Sequence, residues 1–132
     1  MNSIFSRIIA GEIPAYRIAE DQDFLAFLDI APMAKGHVLV VPKLEVDKAF
    51  DLPIEVLSKW MVFAQPIAHA IEKCFPCNRC GISIIGLEVP HAHMHLVPIN
   101  GADDLNFTRP KLKLGTEEFI EIQNTLLASF AA

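Results

Sequence analysis

From Pro90 to Pro98 the chain alternates histidine with apolar residues: His91-Ala92-His93-Met94-His95-Leu96, closing on Val97-Pro98. Helical periodicity would scatter this pattern around a cylinder, whereas a strand sends successive side chains to opposite faces. The segment is therefore expected as a strand, from about His93 to Pro98, with Ala92, Met94 and Leu96 in a core. His91, His93 and His95 then converge on the other face, so that three of the chain's five histidines line one short patch.

The rest of the sequence supplies partners for that strand. Ser3 or Asn2 can cap a short helix carrying Ile4, Phe5, Ile8 and Ile9, which ends near Gly11 and before Pro14. Two extended runs, Tyr16 to Ala19 and Phe24 to Leu28, flank the polar turn Glu20 to Asp23 and read as a hairpin. Gly36 to Pro42 and Gly81 to Ile85 read as further strands. Between them, from Pro53 to about Phe75, apolar residues recur at three- and four-residue steps, the period of a long helix that Pro66 is expected to kink. That helix has two apolar faces, Ile54-Leu57-Met61-Ala64-Ala68-Ile71 and Val56-Trp60-Phe63-Ile67-Ala70. One packs on the sheet, and the other is covered either by a second copy in a two-fold dimer or by a loop or the C-terminal segment. Thr116 to Phe130 reads as a closing amphipathic helix with Thr116 as N-cap. Strands joined by tight turns with helices set apart from them argue for one α+β domain over residues 1–132, built on an antiparallel sheet of about five strands.

Composition narrows the function classes. Eleven Lys and Arg against sixteen Asp and Glu give a net charge of -5, without the broad basic face that a nucleic-acid backbone binder needs. No apolar run is long enough to span a bilayer, so no membrane association and a cytoplasmic address are expected. Cys74, Cys77 and Cys80 cannot all pair within one chain, and their segment offers no fourth zinc ligand. Unligated, reduced thiols at a helix-to-strand corner are expected. No glycine-rich phosphate loop follows any strand.

Two chemistries suit the alternating histidines. A neutral imidazole can attack phosphorus while protonated or hydrogen-bonding neighbours neutralise the phosphate oxygens. Three imidazoles can equally hold a zinc ion with an open position for water. Spacing alone does not choose between them.

The pattern resembles the signature of the histidine-triad (HIT) nucleotide hydrolases and transferases, and the resemblance extends over roughly the first hundred positions in family order. Ile4 to Pro14 is similar to the family's opening helix, Phe27-Leu28-Asp29-Ile30 to its ribose-binding turn, and Gly36 to Lys43 to its central strand. The resemblance implies a HIT-like fold, a homodimer, a purine nucleotide or nucleotide conjugate as ligand, and no cofactor. It makes His93 the nucleophile that attacks an α-phosphate and forms a nucleotidyl-histidine intermediate. His95 would bind the phosphate, with His91 and His37 ordering the ring and its proton relay. Asp29 would accept hydrogen bonds from the ribose hydroxyls, and Phe5, Ile8, Phe27 and Ile30 would sandwich the base. From the residues alone, Asp29 as a turn cap and the apolar four as ordinary core are the favoured readings, because buried apolar residues are mostly packing.

The chain departs from the family pattern ahead of the triad, where it reads Gly81-Ile82-Ser83-Ile84-Ile85-Gly86-Leu87-Glu88-Val89. Ser83 stands where Asn is usual, Leu87 where Gln is usual, and Glu88 where a small hydroxyl usually touches phosphate. Leu87 donates no hydrogen bond, and an ionised Glu88 close by would repel phosphate. Glu88 either points away, is protonated by burial and acts as a general acid, or leaves a nucleotide-binding module with little catalysis. Ser3 and Ser6 replace a Cys-x-x-Cys that helps bind structural zinc in some bacterial relatives, so no zinc is expected there.

Overall fold

The computed structural model describes residues 2–131. In chain order they form α1 (Ile4–Ile9), β1 (Arg17–Glu20), β2 (Phe24–Leu28), β3 (Val38–Pro42), α2 (Ile54–Cys74), β4 (Arg79–Ser83), β5 (Met94–Ile99) and α3 (Thr116–Ala131), with 3-10 turns at Ala49–Asp51 and Ala102–Leu105. The strands make one sheet in the order β1-β2-β3-β5-β4, each neighbouring pair antiparallel. The α+β architecture expected from the sequence is what forms.

Strands β2 and β3 are buried on both faces, and their alternation divides the interior in two. Phe24, Ala26, Leu28, Val38, Val40, Met94 and Leu96 face the larger core, closed by Trp60, Ile67 and Ile71 of α2 and Phe119 and Leu126 of α3. Trp60 also donates its indole N–H to the Val40 carbonyl at 3.2 Å, satisfying the polar atom of a fully buried ring. Leu25, Phe27, Leu39 and Val41 face the other way, into a smaller core closed by Phe5 and Ile8 of α1. In register across that second face stand Phe27, Leu39, His95 and Ser83. The histidine patch therefore belongs to the α1 side of the sheet.

Boundaries differ from expectation where pairing, not propensity, decides them. Strand β4 stops at Ser83, the last residue paired with β5, opposite His95, and the chain then turns at Gly86, whose φ of +73° suits glycine. Strand β5 starts at Met94, so His91 lies in the bend ahead of it, its N–H bonded to the Val89 carbonyl at 2.8 Å, and His93 in the short segment that leads into the strand. The N-cap of α3 is Gly115 rather than Thr116, because Glu118 reaches back to the Gly115 N–H at 3.2 Å. Helix α2 continues through the solvent-exposed Pro66. Gly36, φ +99°, sits just before His37, and a Cβ there would lie 2.7 Å from the Phe75 ring. Only glycine lets the chain pass that ring and deliver His37 to the site.

Helix α3 covers part of α2. It leaves Met61 and Val62 exposed, beside a groove of about 350 Å³ lined by Met61, Ala68, Cys80, Ile82 and others. Among the described residues no helix is long and apolar enough to cross a membrane.

Candidate active site

Four histidines occupy the small-core side, and the atoms around them fix which nitrogen of each ring carries a proton. His91 is fully buried. Its Nε2 lies 2.7 Å from the Pro42 carbonyl, which can only accept, so Nε2 is protonated and Nδ1 is bare. That bare nitrogen accepts the Ser3 hydroxyl at 2.7 Å. Ser3 is at the same time the N-cap of α1, accepting the Ser6 N–H. The Ser3 N–H and the Ser6 hydroxyl both donate to Glu45 Oε1, at 2.7 and 2.6 Å. One carboxylate and two serines thus tie the first turn of α1 to His91.

His93 follows the same logic one step on. Its Nδ1 donates to the His91 carbonyl at 2.8 Å, which leaves Nε2 with a free lone pair. Among the described residues no buried side-chain nitrogen or oxygen lacks a partner. His93 Nε2 takes part in none of the protein hydrogen bonds, so it opens to the site rather than being sealed. The Phe5 ring stands edge-on to His93, centroids 4.9 Å apart, and holds it in place.

His37 and His95 form the second pair. The Met33 N–H donates to His37 Nδ1 at 2.9 Å, so a neutral His37 carries its proton on Nε2. That proton is donated to His95 Nδ1, 2.9 Å away, which puts the His95 proton on its outer Nε2. Asp29 Oδ2 lies 3.5 Å from His37 Nε2, while Oδ1 accepts the Ala31 N–H at 2.8 Å. Asp29 therefore caps its own turn and also borders the histidine pair. Burial holds His37 down to about 3 and His95 down to about 4, and lowers His91 as well. Burial raises Asp29. The protonated imidazoles considered from the sequence are thus replaced by neutral rings acting through fixed N–H groups and lone pairs.

The other expected site residues divide. Phe5, Ile8 and Phe27 pack in the small core, whereas Ile30 is 71% exposed and has surface to offer a ligand. Ser83 is half-buried beside His95. Leu87 is 88% exposed, and Glu88 is exposed too, without the burial a protonated general acid requires. Its charge nevertheless reaches Asp29 and helps to raise it. Two participants were missed: Glu45 and Phe107. The Phe107 ring packs on His95, centroids 4.5 Å apart, from a segment in which no motif marks it.

The metal readings fare differently from one another. Among the described residues, the donor atoms that converge within 4.8 Å are those of Asp29, His37 and His95, not of the three alternating histidines. Both nitrogens of His91 and one of His93 are already engaged. All three cysteines are free thiols, and burial pushes Cys80 up to about 12, far from a ready thiolate ligand.

Residues 10–101 match the HIT domain family. The chain belongs to it. Among curated relatives, the protein hit of Bacillus subtilis is 36% identical over 78% of this chain and 74% of its own length. An adenosine 5'-monophosphoramidase of Saccharomyces cerevisiae is 38% identical over 72% of this chain and 61% of the yeast protein. A crystal structure of a Hit-like protein from Bartonella henselae superposes with a TM-score of 0.83 at 31% identity, covering 97% of this chain and 96% of that one. A zinc-bound histidine-triad protein of Mycobacterium smegmatis gives 0.79 at 30% identity, covering 97% and 92%.

Zinc does not suit the Ser3-Ser6-Glu45-His91 cluster of this HIT protein. Neutral serine hydroxyls are poor ligands, and all four side chains already satisfy one another by hydrogen bonds.

Neutral burial of the histidines has a thermodynamic signature. Their folded values lie below the ordinary 6.5, so below about pH 6.5 the unfolded chain binds protons that the folded chain does not. Stability is therefore complete above pH 6.5. It declines on acidification toward pH 4 by about 1.4 kcal/mol per pH unit for each such ring. Asp29, raised by burial, acts in the opposite sense as the pH falls from its raised value to its ordinary one. Denaturant titrations at pH 7.5, 6 and 5 should show this decline, with net uptake of about two protons on unfolding. A stability that is flat across that range contradicts neutral burial.

Proposed function

We propose that this HIT protein hydrolyses the α-phosphate linkage of a purine nucleotide conjugate, a phosphoramidate or dinucleoside polyphosphate, through a nucleotidyl-histidine intermediate. The observation that carries this reading is the free Nε2 lone pair of His93, with its Nδ1–H held on the His91 carbonyl. An imidazole oriented in this way is a competent nucleophile at neutral pH, because no proton has to leave before it attacks. As the bond from Nε2 to phosphorus forms, the Nδ1–H carries the developing positive charge toward a carbonyl already in place. The bond to the leaving group breaks, and water then releases the nucleotide in a second, easier displacement.

The remaining residues take supporting roles. His95, its outer N–H fixed through His37, donates to a phosphate oxygen, and Ser83 stands beside it. Asp29 meets the ribose, and Ile30 covers the base above the floor made by Phe5, Ile8 and Phe27. The yeast relative's name, an adenosine 5'-monophosphoramidase, supports an adenosine phosphoramidate as the first substrate to try. Leu87 and Glu88 favour a second reading, a nucleotide-binding module with little catalysis, since neither helps to bind phosphate.

His93→Ala should lower turnover of adenosine phosphoramidate by about a thousandfold or more while leaving the melting temperature within a few degrees. Wild-type turnover by the purified, metal-free variant contradicts the mechanism. If the wild-type protein binds AMP but turns over no member of a broad conjugate panel, the second reading replaces the first.

The partner we infer is a second copy of the chain. Strand β4 is a sheet edge, with Ile82, Ile84 and Ile85 partly exposed and the Met61-Val62 groove of α2 alongside. A two-fold axis there would extend the sheet and cover both apolar surfaces. Sedimentation velocity should give a dimer that Met61→Glu disrupts. A wild-type monomer at micromolar concentration contradicts this.

A further inference from the structure

A phosphate bound beside His93 and His95 would meet almost no positive charge from the residues assigned so far. Burial keeps His37 and His95 neutral, Asp29 is a carboxylate, Leu87 donates nothing, and the charge of Glu88 reaches Asp29. An anion of full charge in a half-buried site needs a cation or a dense set of donors. Lys111 is placed to supply one. Its ammonium donates to the carbonyls of Phe107 and Arg109, which occupies two of its three protons and leaves the third free. The residue it grips, Phe107, packs directly on His95 and stands 6.3 Å from His37. On its other side, the Leu112 N–H is bonded to the Pro32 carbonyl at 2.8 Å, in the turn that follows Asp29. Lys111 is thus bracketed by a residue touching the phosphate-side histidine and by one pinned to the ribose-side turn. The neighbouring Arg109 is instead spent on Asp103 and Asp104, at 3.4 and 3.2 Å.

We propose that Lys111 is the cationic ligand for the 5'-phosphate of the bound nucleotide, presented by the segment 106–112 acting as one wall of the phosphate pocket. The proposal rests on the nucleotide reading above and deepens it. Burial sets the shifts of Asp29, His37 and His95, and the charge of Lys111 adds a smaller contribution to each, in keeping with an ammonium near all three. It also accounts for how a chain carrying Leu87 and Glu88 can hold phosphate: the attraction comes from beyond the triad rather than from the residues ahead of it.

Calorimetric titration of wild type, Lys111→Met and Lys111→Arg with AMP and with adenosine tests this. Lys111→Met should weaken AMP by about ten- to a hundredfold and leave adenosine within about twofold, with Lys111→Arg recovering most of the AMP affinity. The adenosine affinity reports that the variants are folded. Equal losses for AMP and adenosine would make Lys111 a loop staple and overturn the proposal. So would an AMP affinity unchanged from a wild type that binds AMP well, which would leave the nucleotide reading intact. A wild-type protein that binds neither ligand overturns both.

Discussion

The site depends on burying three imidazoles, those of His37, His91 and His95, without charge. An imidazolium in the small core would lose its hydration with nothing to replace it, whereas a neutral ring needs only one acceptor for its N–H and one donor for its lone pair. The fold supplies these mostly from backbone: the Pro42 carbonyl for His91, the His91 carbonyl for His93 and the Met33 amide for His37. The backbone is held by the sheet and its turns, so the proton positions are as rigid as the strands. Only His95 takes its orientation from another ring, and that ring is itself fixed.

This arrangement changes the electrostatic picture drawn from composition. A chain with a net charge of -5 could be supposed to hide a local cationic pocket made of histidines. The structure instead builds a pocket of oriented neutral dipoles, with negative charge from Asp29 and Glu88 at its border. Nucleophile and hydrogen-bond donor are separated by geometry, one ring presenting a lone pair and the next an N–H. Pre-set dipoles of this kind require little reorganisation as charge develops.

The sequence displayed the parts that rest on periodicity and omitted those that rest on approach in space. Alternation along β2, β3 and the run before Pro98 reveals the strands and the face each side chain takes, since a strand has only two faces. The cap at Ser3 and the long period of α2 are equally local. Nothing local indicates that Glu45 would meet Ser3 and Ser6, or that Phe107 and Leu112 would fold back onto His95 and the turn after Asp29. Those contacts are made between segments far apart in sequence and carry no spacing signature. The base-binding residues were only half legible for a related reason: a buried Phe5 and an exposed Ile30 are both apolar letters, and only burial separates floor from contact surface.

The claim most central to this account is that His93 holds a proton on Nδ1, against the His91 carbonyl, and presents a bare Nε2 to the site. Nitrogen-15 spectra of histidine-labelled protein, assigned through a His93→Gln variant, test it directly at pH 7. The account predicts for His93 a protonated, slowly exchanging Nδ1 and an Nε2 at the shift of an unprotonated ring nitrogen. A proton found on Nε2, or both nitrogens at imidazolium shifts, would contradict it.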